Sequence, residues 1–100
     1  MTVEPVHSEF KTDPEYRELL ELFVSEMPQR RNALERAYLR WDVAQLRVQA
    51  HQLKGSAGGY GFGGLSCLAA TLEAACVRNN LSEVAVNLRQ TLDYLARISV

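Results

Sequence analysis

Apolar positions recur every three or four residues along most of the chain, the period of a helix that buries one stripe. In the first such segment Tyr16, Leu19, Leu20, Phe23, Val24, Met27, Leu34, Ala37, Tyr38 and Trp41 keep this spacing, with Arg31 interrupting it. Asp13-Pro14 marks the start, because Asp accepts from the free N–H groups of a first turn and Pro fits where no N–H is needed. The spacing predicts a long helix from Asp13 to about Arg40, kinked or briefly broken at Pro28, where one ladder hydrogen bond is lost. Acidic residues (Asp13, Glu15, Glu18, Glu21) crowd its first half and basic ones (Arg30, Arg31, Arg36, Arg40) its second, matching the helix dipole.

Three further segments repeat the pattern. Val43, Leu46, Ala50, Leu53 and Ala57 form one narrow seam, opened by Asp42 and Gln45 as a capping-box-like pair. The glycine-rich stretch Gly58 to Gly64 ends this helix or lets it fray into a turn. A third stripe, Leu65, Leu68, Ala69, Leu72, Ala75 and Cys76, stops at Asn79-Asn80. Asn80 caps a fourth, with Glu83 at the capping-box position and Leu81, Val84, Leu88, Leu92, Leu95 and Ile98 as its stripe. No segment alternates with period two. The expected fold is all-α: an antiparallel up-down four-helix bundle over residues 13–100, since short connectors make sequential helices neighbours. Residues 1–12 lack a period and read as a mobile N-terminal arm whose Phe10 packs onto the body.

Composition narrows the function. The 100 residues suffice for one core, not for a nucleotide-binding domain beside another, so the chain is expected to be no enzyme and to hold no kinase or nucleotide site of its own. Eleven basic residues against twelve acidic ones disfavour nucleic acid or an anionic membrane as partner and leave another protein first. No apolar run approaches the ~18 residues of a span, and no basic-then-apolar leader is present, so the expected location is cytoplasmic. Cys67 and Cys76, nine residues apart on one helix, face opposite ways and lie ~13 Å apart, too far to bridge; they read as small buried apolar side chains of a reducing compartment. His7 has no second ligand at metal spacing. Met1 and an end soon after the fourth helix set the expectation of a free-standing monomer.

The distinctive chemistry lies between Ala50 and Gly61. His51 is one of two histidines, Lys54 follows three residues later, and all six glycines fall between Gly55 and Gly64. At ~100° per residue His51 points about 120° away from the apolar seam, and Arg47, Lys54, Gly55 and Gly58 share its sector. Gly55 and Gly58 each cost about 0.5–1 kcal/mol relative to Ala inside a helix. Either a neighbouring helix packs close against them or a partner's surface approaches the histidine there. An exposed imidazole is a nucleophile near neutral pH, and an ammonium beside it stabilises a phosphoryl anion formed on it, so the constellation suits reversible phosphorylation of His51. A literal Gly-x-Gly-x-x-Gly at Gly59 to Gly64 follows a helix, whereas the dinucleotide motif needs a preceding strand.

His51-Gln52-Leu53-Lys54-Gly55-Ser56-Ala57-Gly58, followed by Gly61-Phe62 and a Leu-rich helix with Leu72-Glu73, resembles the histidine phosphotransfer (HPt) domains of bacterial phosphorelays. It is similar also to the phosphotransfer domain of chemotaxis histidine kinases. The resemblance spans about Asp13 to Ser99. It implies a phosphocarrier that accepts a phosphoryl group on His51 and passes it to or from a receiver-domain aspartate. Lys54 would offset phosphate charge, Gly55 and Gly58 would give access, and Glu73 would border the site. The partners implied are a response-regulator receiver and a histidine kinase; no cofactor is expected on this chain, the Mg²⁺ belonging to the receiver. The competing reading is a helical adaptor that binds such partners without carrying phosphate.

Overall fold

The computed structural model describes residues 4–100. Asp13 accepts a hydrogen bond from the Glu15 N–H (3.0 Å) and opens a 3-10 turn, Pro14–Tyr16, that leads into α1, Arg17–Leu39. Asp42 caps α2, Val43–Gly59, by accepting from the Gln45 N–H at 3.0 Å, and Asn80 caps α4, Leu81–Arg97, by accepting from the Glu83 N–H at 3.2 Å. Between them α3 runs Gly63–Val77. The turns before α2 and α4 each contain a residue in the left-handed region, Trp41 (φ 56°) and Asn79 (φ 52°). Asn tolerates that conformation; for a large aromatic it is unusual.

Each helix packs on its sequence neighbours and α1 closes on α4, while the backbones of neither diagonal pair come close among the described residues. Short connectors and this ring of contacts make an up-down four-helix bundle. Leu20, Phe23, Met27 and Leu34 of α1 meet Leu46 and Leu53 of α2, Leu65 and Leu72 of α3, and Val84, Leu88 and Leu95 of α4 in one core. Four fully buried alanines, Ala50, Ala57, Ala69 and Ala75, line α2 and α3. With little side-chain bulk between them, these two helices share the most extensive contact in the bundle, which fixes the residues on their outer edges relative to one another.

Four expectations need correction. Of the kink or break expected at Pro28, the break does not occur: helix α1 is continuous through this exposed residue, because a lost bond to the Val24 carbonyl does not break a helix whose neighbouring turns carry buried Phe23, Met27 and Leu34. Leu19, Trp41 and Leu81, placed in apolar stripes by spacing, are exposed because they sit at the edge or beyond the end of their stripes. Cys67 is exposed and only Cys76 buried, since opposite faces of one helix cannot both meet one core. The N-terminal segment is fastened at more than Phe10. The Val6 N–H donates to the Arg97 carbonyl and Val6 accepts from the Ser99 N–H, both at 2.8 Å. Ser8 is buried and its Oγ donates to the Tyr60 carbonyl at 2.6 Å, and Phe10 stacks on Tyr16 with centroids 4.5 Å apart. His7 Nδ1 donates to Val100 O at 3.2 Å. Residues 1–3 of the expected arm lie outside the described residues.

Candidate functional site

His51 sits in the middle of α2 with its side chain 66% exposed, on the face away from the Leu46-Ala50-Leu53-Ala57 seam. The close α2–α3 packing brings Glu73 of α3 beside it. Glu73 Oε2 lies 2.7 Å from His51 Nδ1, and Glu73 Oε1 accepts from Lys54 Nζ at 2.8 Å. Hydrogen bonding from Lys54 is the largest influence holding the Glu73 carboxyl below its ordinary range, with a smaller contribution from His51, against an opposing effect of burial. An ionised carboxylate only accepts, so His51 Nδ1 carries the proton and donates it to Glu73. Neutral His51 therefore presents its lone pair at Nε2, which has no hydrogen-bond partner among the described residues.

The two helices are stitched together around this triad. Ser66 Oγ of α3 donates to the Lys54 carbonyl at 3.0 Å, and Arg30 of α1 donates to Gln52 Oε1 at 3.2 Å. The sequence assigns no role to Ser66 and places Arg30 only in the basic second half of the first helix, since nothing local reveals which residue of another helix a serine or arginine will face. Arg47, one turn before His51, is exposed, and its charge acts on the buried Cys76 thiol, which burial pushes up and Arg47 partly pulls back. Lys54 points its ammonium sideways to Glu73, so the lysine anchors the carboxylate as well as standing beside the imidazole.

The glycines separate into two groups. A methyl group added at Gly55 or Gly59 would meet nothing within 4 Å, and at Gly58 only Ser66 at ordinary contact distance, 3.5 Å. Of the two explanations for Gly55 and Gly58, close packing of a neighbouring helix is therefore excluded for Gly55 and unnecessary for Gly58. Gly61 differs: its φ is +80°, and a Cβ there would lie 2.5 Å from Ser8 Oγ and 2.8 Å from the Phe10 ring. A Cβ added at Gly64 would lie 3.0 Å from the Tyr94 ring.

The face around His51 is therefore smooth and open over two turns of α2, flanked by a hollow of about 180 Å³ between α1 and α2 to which Leu22, Glu26 and Arg30 contribute. The Gly-x-Gly-x-x-Gly stretch spans the end of α2, the turn and the start of α3, with a helix before it and no phosphate-cradling strand–loop–helix geometry. Among the described residues no three His, Cys, Asp or Glu side chains gather to hold a metal ion, and no helix is long and apolar enough to cross a membrane. A family model for the Hpt domain matches residues 18–99. No curated protein and no solved structure matches the chain.

Proposed function

The chain belongs to the Hpt domain family, whose members carry phosphoryl groups in two-component signalling, and on that premise we propose that His51 is the phosphoacceptor, exchanging a phosphoryl group with a receiver-domain aspartate. The observation that supports this reading best is the pairing of an exposed imidazole, through Nδ1, with an ionised carboxylate. Nε2 attacks the phosphorus of an aspartyl phosphate, the Nε2–P bond forms, and the P–O bond to the acyl oxygen breaks with release of the aspartate carboxylate. Positive charge develops on the ring as this happens. Glu73, 2.7 Å from Nδ1, faces that charge and keeps the ring in its productive tautomer, a role of the kind an orienting carboxylate plays beside a nucleophile's imidazole.

Lys54 holds Glu73 in place and limits the repulsion its carboxylate would exert on the incoming phosphate. Gly55 and Gly58 leave the backbone of α2 bare on the same face, so the flat surface around a receiver's aspartate can approach Nε2 without meeting side chains. The receiver supplies the Mg²⁺ and the acidic pocket, and a histidine kinase serves as the alternative donor.

The test is chemical. Incubated with a phosphorylated receiver, the wild-type chain acquires acid-labile, alkali-stable phosphate and His51→Gln acquires none. Equal labelling of both variants removes His51 from the mechanism. Absence of label across a panel of receivers that nonetheless bind the chain establishes the non-phosphorylated adaptor instead.

A further inference from the structure

Helices α1 and α4 share the least extensive contact of the four neighbouring pairs, and between them opens a groove of about 920 Å³. This face belongs to the other side of the bundle from His51, which stands on α2 against α3. The groove's floor is apolar: Leu88 is buried, and Tyr38 and Leu92 are half-buried. Its rim exposes Leu39 (75%) and Val86 (57%), large apolar side chains that a solvated face has no need of.

The charges on this rim decide what fits it. On α1, Arg31 is followed one turn later by Glu35; on α4, Arg89 is followed one turn later by Asp93, and all four line the groove. Arg31 and Glu35 bond to each other along α1 at 3.5 Å, while Asp93 turns to Arg97 at 3.6 Å and leaves Arg89 without an acidic partner among the described residues. Two cations and two anions give no net field to attract a strongly acidic or basic ligand. The cation-then-anion order on both helices has a different property. A helix bearing such a pair is complementary to its own copy running antiparallel, because the cation of each then meets the anion of the other. Antiparallel α1 and α4 bring residues 31–35 and 89–93 to the same level of the groove, so one two-fold axis satisfies both pairs at once.

We propose that the α1–α4 face is a homodimer interface, with α1 against α1 and α4 against α4 of a second copy about a two-fold axis crossing the helices. Arg89 pairs with Asp93 of the other copy and Arg31 with its Glu35. The same register brings Val86 onto Ala96, covering the exposed Val86 side chain. The interface leaves His51 of both copies free, so two phosphorylatable sites point outward from one particle.

Analytical ultracentrifugation of the full chain over a concentration series tests this, with circular dichroism to verify folding of each variant. The wild-type chain shows concentration-dependent dimerisation that weakens with added salt. Arg89→Glu, which sets like charges opposite each other twice per dimer, weakens association about tenfold or more. The double exchange Arg89→Asp with Asp93→Arg restores it, because the swapped pair is again self-complementary. The restoration is specific to α4 meeting α4: were Arg89 to meet Glu35 instead, the exchange would create two repulsive contacts. A chain that stays monomeric up to about millimolar concentration overturns the proposal, as does a dimer indifferent to Arg89→Glu or one that the double exchange fails to restore.

Discussion

Glu73 binds two partners with one carboxylate, and its ionisation is what fixes the proton on His51 Nδ1. Because Lys54 and His51 both stabilise the charged form, the carboxyl titrates below its ordinary value of 4.5. The sign follows from linkage: a depressed carboxyl contributes stability that is fully present above the unfolded-state value and is lost as pH falls through the lower folded-state value. Glu73→Gln is therefore less stable than the wild type near about pH 7, and the difference in denaturation midpoint closes as pH is lowered below 4.5. A difference that persists undiminished to about pH 3 would show that Glu73 acts through packing alone. The same substitution keeps an acceptor near Nδ1 but removes the charge that faces the developing imidazolium. Rapid-quench measurement of phosphoryl uptake should find it slowed at least about tenfold with the protein still folded.

At the scale of the element, the glycines of α2 and of the turn after it answer to different demands. Gly55 lies inside a helix with open space where a side chain would go, so Gly55→Ala gains about 0.5–1 kcal/mol and raises the melting temperature by a few degrees. A bulky residue at Gly55 keeps the fold and blocks transfer, because it stands where the receiver must approach. Gly61→Ala, in contrast, combines a left-handed backbone with overlap on Ser8 and Phe10 and loses about 1–3 kcal/mol in thermal or denaturant unfolding. Local chemistry of this kind is also what made the elements readable from sequence. Asp42 with Gln45 and Asn80 with Glu83 lie three residues apart, and the structure places their caps there. The expected break at Pro28 failed for the complementary reason: a missing ladder bond is a local fact, but whether a helix survives it depends on how firmly the turns on either side are buried.

Across the whole molecule, the sequence revealed His51 and its open face because one helix carries them, whereas the Glu73 pairing crosses from α2 to α3 and could be anticipated only through the resemblance. The Ser66 bond to the Lys54 carbonyl was hidden for the same reason. The N-terminal segment was the least readable part, since its partners are Tyr60, Arg97 and Ser99, tens of residues away, and no periodicity announces a short extended stretch held by two backbone bonds. That segment bears on the order in which the protein assembles. Most of the bundle's contacts join helices adjacent in sequence, which form early and at little entropic cost, whereas joining Val6 to Arg97 and Ser99 closes a loop of nearly the entire chain. The strap should therefore form after the rate-limiting barrier has been crossed. Ser8→Ala, which deletes the bond to the Tyr60 carbonyl, is expected to accelerate unfolding about fivefold while leaving the refolding limb of the chevron unchanged. Equal slowing of refolding would place the strap in the folding nucleus. On this account residues 6–10 act as a latch on the finished bundle: they set how long it lasts rather than how fast it forms.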